Sequence, residues 1–239
     1  MIPIKDYAGP RRSFPWVMLA IVILNVLVFV FELGFSESSD LDVLFSSAGV
    51  IPVEFTQGRN VGAPPPLGVV WTTLFTSMFL HGGFLHIASN MLYLFIFGDN
   101  VEDQLGHLRF LVFYFLAGVV AGLTHIVVNA PSAIPSVGAS GAIAGVLAAY
   151  LRMFPSASVR TLLVIGPFIT VPRISAALLI GFWFVTQFLT GIASLGATSE
   201  QTSGGVAVWA HIGGFVAGLV LVQFMRPTPR VSPLPLGEG

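Results

Sequence analysis

Long apolar stretches alternate with short polar ones along this chain, and their lengths predict its elements. Residues 14–33 are uncharged up to Glu32, about twenty residues, enough for one helix across a ~30 Å hydrocarbon layer. Lys5, Arg11 and Arg12 precede this run. It is longer than the apolar region of a cleaved signal peptide and has no small-residue cleavage site, so a retained anchor is expected. Residues 35–67 are polar, acidic and proline-rich. Residues 68–80 are apolar again, but as a helix they would be only about 20 Å long. A loop dipping into one leaflet is predicted there.

Residues 84–97 with their flanks, 110–128, 140–153, 174–195 and 206–224 predict five further spans. Residues 161–171 (TLLVIGPFITV) are apolar but too few to cross, and Pro167 interrupts them. The predicted fold class is an all-α polytopic membrane protein, a bundle of six transmembrane helices with a membrane-dipping first loop. Residues 1–13 are expected to be a cytoplasmic N-terminal segment, 14–225 the six-helix domain, and 226–239 a disordered cytoplasmic tail rich in proline and glycine.

Charge tests this topology. With six spans, Lys5, Arg11, Arg12, Arg109, Arg152, Arg160, Arg173, Arg226 and Arg230 share the side of the termini, and only Arg59 lies opposite. The Lys/Arg excess marks cytoplasmic loops, so both termini are expected in the cytoplasm. A seventh span over 161–171 would export Arg173, Arg226 and Arg230 and spoil the bias. No transit peptide pattern precedes the anchor, which points to a plasma or bacterial inner membrane.

Composition agrees. Hydrophobic residues make up 55% of the chain and charged residues 9%, against about 25% charged in an ordinary soluble domain. A net charge of −1 argues against nucleic acid as a partner. There is no cysteine, which excludes disulfides, thiolate metal sites and cysteine nucleophiles. No cofactor is implied.

Polar groups inside hydrocarbon need a reason, since charged types cost about 2.5–3.5 kcal/mol on insertion scales. The candidates are His86, Asn90, His125, Ser140 and His211. The fourth span, 140–153, makes only about 21 Å of helix, and Arg152 and Pro155 fix its cytoplasmic end. Ser140 should therefore start about 10 Å below the outer surface of a ~30 Å core. His211 lies about five residues into the sixth span, about 8 Å down from the same surface. Gly141 and Gly145 on one helix, and Ala210, Gly214 and Gly218 on the other, allow close backbone approach. A serine hydroxyl facing an imidazole is an activated nucleophile. No acidic third partner is evident at this depth, so a dyad is predicted. His86 and Asn90, four apart, share a helix face. With the Ser140 backbone N–H they supply donors suited to a developing oxyanion. His81 is expected to order its loop, and His125 to be structural. His107, at the interface, is expected to have no role. The aromatic stripe of Phe182, Trp183, Phe184 and Phe188 is expected to face lipid or neighbouring helices.

The set HGGFLHIASN (81–90), GASGA (138–142) and AHIGGF (210–215) resembles the rhomboid intramembrane serine proteases. The likeness runs from residue 14 to about residue 225, and the opening MIPIKD is similar to bacterial members. The resemblance implies Ser140 as nucleophile, His211 as general base, and His86 and Asn90 as oxyanion stabilisers. It implies that 68–80 is the lipid-embedded first loop and 196–205 a mobile cap. Glu102 and Gly106 match a structural feature of the family. The family's frequent Trp–Arg pair in the first loop is absent, since Thr72 follows Trp71. The implied substrate is the transmembrane helix of another protein, which must unwind locally before attack, so Gly, Ser or Pro in it should favour cleavage. A cavity open to the extracytoplasmic side must admit water.

Rival readings are a non-catalytic scaffold or chaperone binding transmembrane helices, and a transporter. The first would be expected to lack one member of the dyad. The second would place carboxylates at midplane, whereas here Asp and Glu sit in loops and at interfaces. A metalloprotease lacks its HExxH here, so no metal is expected. The sequence leaves a homo-oligomer open.

Overall fold

A computed structural model describes residues 1–9, 11–35, 38–194 and 207–225, and it is mostly helical. The first apolar run forms α1 (Trp16–Glu32). Its N-cap is Pro15, which has no side-chain oxygen to receive the free N–H groups of the first turn. A later helix supplies the acceptor. The buried Glu102 carboxylate takes the Val17 and Met18 N–H groups at 3.0 and 2.6 Å and also meets His107 Nδ1. Its neighbour Asp103 takes those of Arg12 and Ser13, both at 2.9 Å. His107, expected to need no role, therefore belongs to the group that seats the first helix.

The stretch 35–67 is more ordered than its polarity suggests. It contains α2 (Ser38–Ala48) and α3 (Pro52–Gln57). Proline at the first turn of α3 suits a position whose N–H would be unpaired anyway, and Gly58 ends the helix in the left-handed region. The apolar stretch that follows is a series of short turns, Pro66–Gly68, Val70–Thr72, α4 (Thr73–Thr76) and Ser77–Phe79. It meets α5 (Phe84–Leu105) at a bend of 82°.

Next come α6 (His107–Val128), α7 (Ser140–Met153), α8 (Ala176–Ser194) and α9 (Val208–Phe224). Gly106, at φ 81°, makes the reversal between α5 and α6. Among the described residues, His107–Val128 and Ala176–Ala193 are each long and apolar enough to cross a membrane, and the bent pair Val70–Phe79 and Phe84–Leu105 is a third candidate. Trp16–Glu32, Ser140–Met153 and Val208–Phe224 are shorter apolar helices.

The core centres on α7. Every residue of α7 from Gly141 to Tyr150 is buried, with α5, α6 and α9 packed around it. Its approach to α9 is backbone to backbone. A Cβ on Gly214 would overlap the Gly141 carbonyl, and one on Gly218 would overlap that of Gly145.

The all-α expectation misses one element. Residues 161–171 do not pack as an apolar helix fragment; they belong to a four-stranded antiparallel sheet of β1 (Ile2–Asp6), β2 (Ser158–Ile165), β3 (Phe168–Thr170) and β4 (Arg173–Ser175). β2 is central, pairing with β1, β3 and β4. The run is rich in β-branched residues, and Gly166 at φ 58° followed by Pro167 gives the glycine-first two-residue turn of a tight hairpin. One face of the sheet is buried through Pro3, Val159 and Thr161. Asp6 turns the same way and accepts from Asn100 Nδ2 at 2.9 Å and the Tyr150 hydroxyl at 2.7 Å. The N-terminal residues thus form a strand fixed to the ends of α5 and α7.

Candidate active site

Ser140 is the first residue of α7, so its N–H has no acceptor within the helix. Before it, Gly138 sits at φ 129°, a conformation that favours glycine. A Cβ there would lie 2.8 Å from the His86 ring. The loop is tied down from two sides. Gly138 N–H donates to the Ser77 carbonyl at 2.8 Å, and Val50 and Ser136 exchange backbone bonds at 3.0 and 2.8 Å. The broken segment before α5 therefore positions the residue two before Ser140.

His211 stands in the first turn of α9 and is 5% exposed. Its Nε2 lies 2.7 Å from Ser140 Oγ. The two side chains placed at matched depth by helix-length arithmetic are thus in hydrogen-bond contact across the glycine seam. An imidazole nitrogen at that distance can take the hydroxyl proton as the oxygen attacks a carbonyl.

His86 lies at the start of α5, beside Gly138. Its Nδ1 accepts from the Gly82 N–H at 3.3 Å, which leaves Nε2 to carry the ring proton on the Gly138 side. Asn90, one turn on, is buried and donates through Nδ2 to the His86 carbonyl at 3.1 Å. His81 is held in the turn before α5, where its backbone N–H donates to the buried Glu32 carboxylate at 3.1 Å. His125 donor–acceptor contact runs to Asn129 at 3.3 Å, and His125 lines a small cavity with Ser77, Gly138, Ser140 and Ala210.

His211 has two further neighbours: Gln187, which sequence reasoning missed, and Trp183, from the stripe expected to face lipid or neighbouring helices. Gln187 Oε1 lies 2.8 Å from His211 Nδ1, and the Trp183 ring lies 5.6 Å from the imidazole, tilted by 37°. Both come from α8, four residues apart, on the face that also stacks Phe184 on Phe215 at 4.4 Å. An amide oxygen only accepts, so it fixes the proton on Nδ1 and leaves the Nε2 lone pair for Ser140. The signal in the sequence was a glutamine in the middle of an apolar span. Of the aromatic stripe, Trp183 and Phe184 face α9, while Phe182 and Phe188 are exposed. The cap expected at 196–205 lies outside the described residues, as does the tail 226–239.

The family model of the rhomboid domain matches residues 68–228. This chain belongs to the rhomboid family. Relatives of this rhomboid include Rhomboid-like protein 11, chloroplastic, of Arabidopsis thaliana, 31% identical over 68% of this chain and 55% of that protein. RHOMBOID-like protein 1 of the same plant is 27% identical over 90% of this chain and 54% of its own length. Rhomboid protease GluP of Bacillus subtilis is 36% identical over 62% of this chain and 25% of its own. The chain spans about half the length of the first two relatives. Membership makes this rhomboid a membrane-integral protein of a family that is generally proteolytic, some of whose members are inactive.

Proposed function

We propose that this rhomboid is an intramembrane serine endopeptidase that hydrolyses peptide bonds in or near the transmembrane helices of other membrane proteins. The observation that carries the reading is the 2.7 Å contact between His211 Nε2 and Ser140 Oγ. Ser140 attacks the scissile carbonyl while His211 takes its proton, then returns it to the leaving amine. Water repeats the sequence on the acyl-enzyme. The Ser140 N–H, His86 Nε2–H and the Asn90 amide serve as donors to the developing oxyanion, Asn90 through its second N–H, since the first is taken by the His86 carbonyl at 3.1 Å. No cofactor or metal enters the steps.

The same reading places six spans in the bilayer: α1, α5, α6, α7, α8 and α9. The segment before α5 dips into the outer leaflet, and the site opens to the extracytoplasmic side of a plasma or inner membrane. Both termini lie in the cytoplasm. The pairing of β1 with β2 supports this arrangement, because it requires an even number of crossings between them, and α1, α5, α6 and α7 supply four.

The test is cleavage of a model transmembrane substrate in liposomes by wild type, Ser140→Ala and His211→Ala. Cleavage by wild type alone, unaffected by EDTA, is the expected result. Cleavage by all three would remove the dyad. No cleavage across several substrates, with no labelling of Ser140 by a serine-directed phosphonate, would leave a helix-binding scaffold.

A further inference from the structure

The sheet has an outward face that the proposed reaction does not use. In its register Lys5 stands opposite Arg160, and Arg160 stands opposite Arg173. Directly opposed residues share a face, so three exposed cations form one row across β1, β2 and β4. Tyr7 lies under the row, its ring 4.3 Å from the Arg173 guanidinium and 5.8 Å from Lys5 Nζ. Like charges set opposite one another destabilise a sheet. None of the three makes an ion pair among the described residues, and the nearby Asp6 carboxylate is turned inward to Asn100 and Tyr150. The row therefore calls for anions from outside the fold.

The same face changes character along β2. Past Arg160 it carries Leu162, opposite the exposed Ile2, and then Val164, opposite Ile169. On this face Val164 and Ile169 are 60% and 71% exposed, and at the tip Phe168, opposite Ile165 on the other face, is 74% exposed. Apolar residues at the hairpin tip beside a row of cations make the pattern of a surface lying in a membrane interface. Connectivity sets the height. β4 ends at Ser175, and the next residue opens α8, one of the two helices among the described residues that are long and apolar enough to cross by themselves. Arg173 thus sits within one turn of the hydrocarbon edge, at the level of lipid phosphates.

We infer that this face of the sheet is a seat for the anionic headgroups of the bilayer that holds the chain, with the hairpin tip at 164–169 among the adjoining acyl chains. The row of Lys5, Arg160 and Arg173 binds phosphates, and Val164, Phe168 and Ile169 anchor the hairpin beside them. The inference stands whether or not Ser140 cleaves anything.

The chain has no cysteine, so single labels are clean. Nitroxides on Phe168→Cys and Ile169→Cys, in vesicles of phosphatidylcholine with phosphatidylglycerol, should meet oxygen dissolved in lipid in preference to a water-soluble nickel chelate. Phosphatidylglycerol retained in native mass spectrometry should fall about fivefold for each cation replaced, in Lys5→Gln, Arg160→Gln and Arg173→Gln singly and together. Arg160→Lys with Arg173→Lys keeps the charge and should keep the lipid. The single variants preserve a reading if the triple one fails to insert. Full access of the nickel chelate to both labels would overturn the proposal, as would retention unchanged in the glutamine variants. Shielding of the labels by an acidic juxtamembrane peptide, without phosphatidylglycerol, would overturn it in favour of a protein partner.

Discussion

His211 is held from both ring nitrogens, by Ser140 on one side and Gln187 on the other. On the proposed mechanism Gln187 sets the tautomer, and its removal costs about one hydrogen bond, ~1 kcal/mol. Gln187→Ala should lower kcat about fivefold to tenfold with KM nearly unchanged, measured on a transmembrane substrate in liposomes. His86 has a larger expected effect, because a donor aimed at the oxyanion acts only in the transition state. His86→Ala should reduce kcat about 10²- to 10³-fold. Equal loss from kcat and from phosphonate labelling of Ser140 would support this role, and unchanged kinetics would reduce His86 to a packing residue. Ser140, His211 and His86 were legible as polar groups in apolar runs, because hydrocarbon gives such groups few reasons to exist. The Gln187 contact was not legible. Its partner lies across a helix interface, and the register of α8 against α9 is set by side chains whose mutual facing no one-dimensional spacing encodes.

At the scale of elements, two devices join the helices: the α7–α9 glycine seam and the Glu102 cap. Gly214→Val would press a branched side chain into the Gly141 carbonyl, with the Ala121 side chain close on the α6 side. We expect loss of both thermal stability and cleavage, by more than the ~1–3 kcal/mol of ordinary overpacking. Glu102→Ala strips the acceptor from two N–H groups of α1, one of them buried. It should lower stability by about 3 kcal/mol, read from unfolding in detergent, with the kcat of the folded fraction retained. The apolar helices were legible from run length alone. The hairpin was not, because an eleven-residue apolar run has the same composition whether it is a failed span or two strands. Only the glycine and proline at its middle pointed to a turn, and one of the three strands that pair with β2 lay far away in sequence, at residues 2–6. Likewise α2 and α3 are hidden in a stretch whose polarity reads as loop.

At the scale of the whole molecule, the sheet makes a claim about sidedness. In sealed vesicles, Ile4→Cys and Ser156→Cys should react with an impermeant maleimide from the same side, and Asn60→Cys from the other. Labelling of Ile4→Cys and Ser156→Cys from opposite sides would contradict the β1–β2 pairing itself.

That pairing also has a history in time. β1 is synthesised some 150 residues before β2, a wait of roughly 8–30 seconds at ordinary rates of translation of 5–20 residues per second. During that interval the strand has no ladder to join. On the proposed topology it closes only after α1, α5, α6 and α7 have been threaded into place. On the proposed topology residues 2–6 therefore act as a latch on biogenesis: a chain that mislays one of those helices delivers β2 to the wrong compartment, and the latch stays open, with the backbone N–H and C=O groups of β1 left unpaired for a quality-control protease to find.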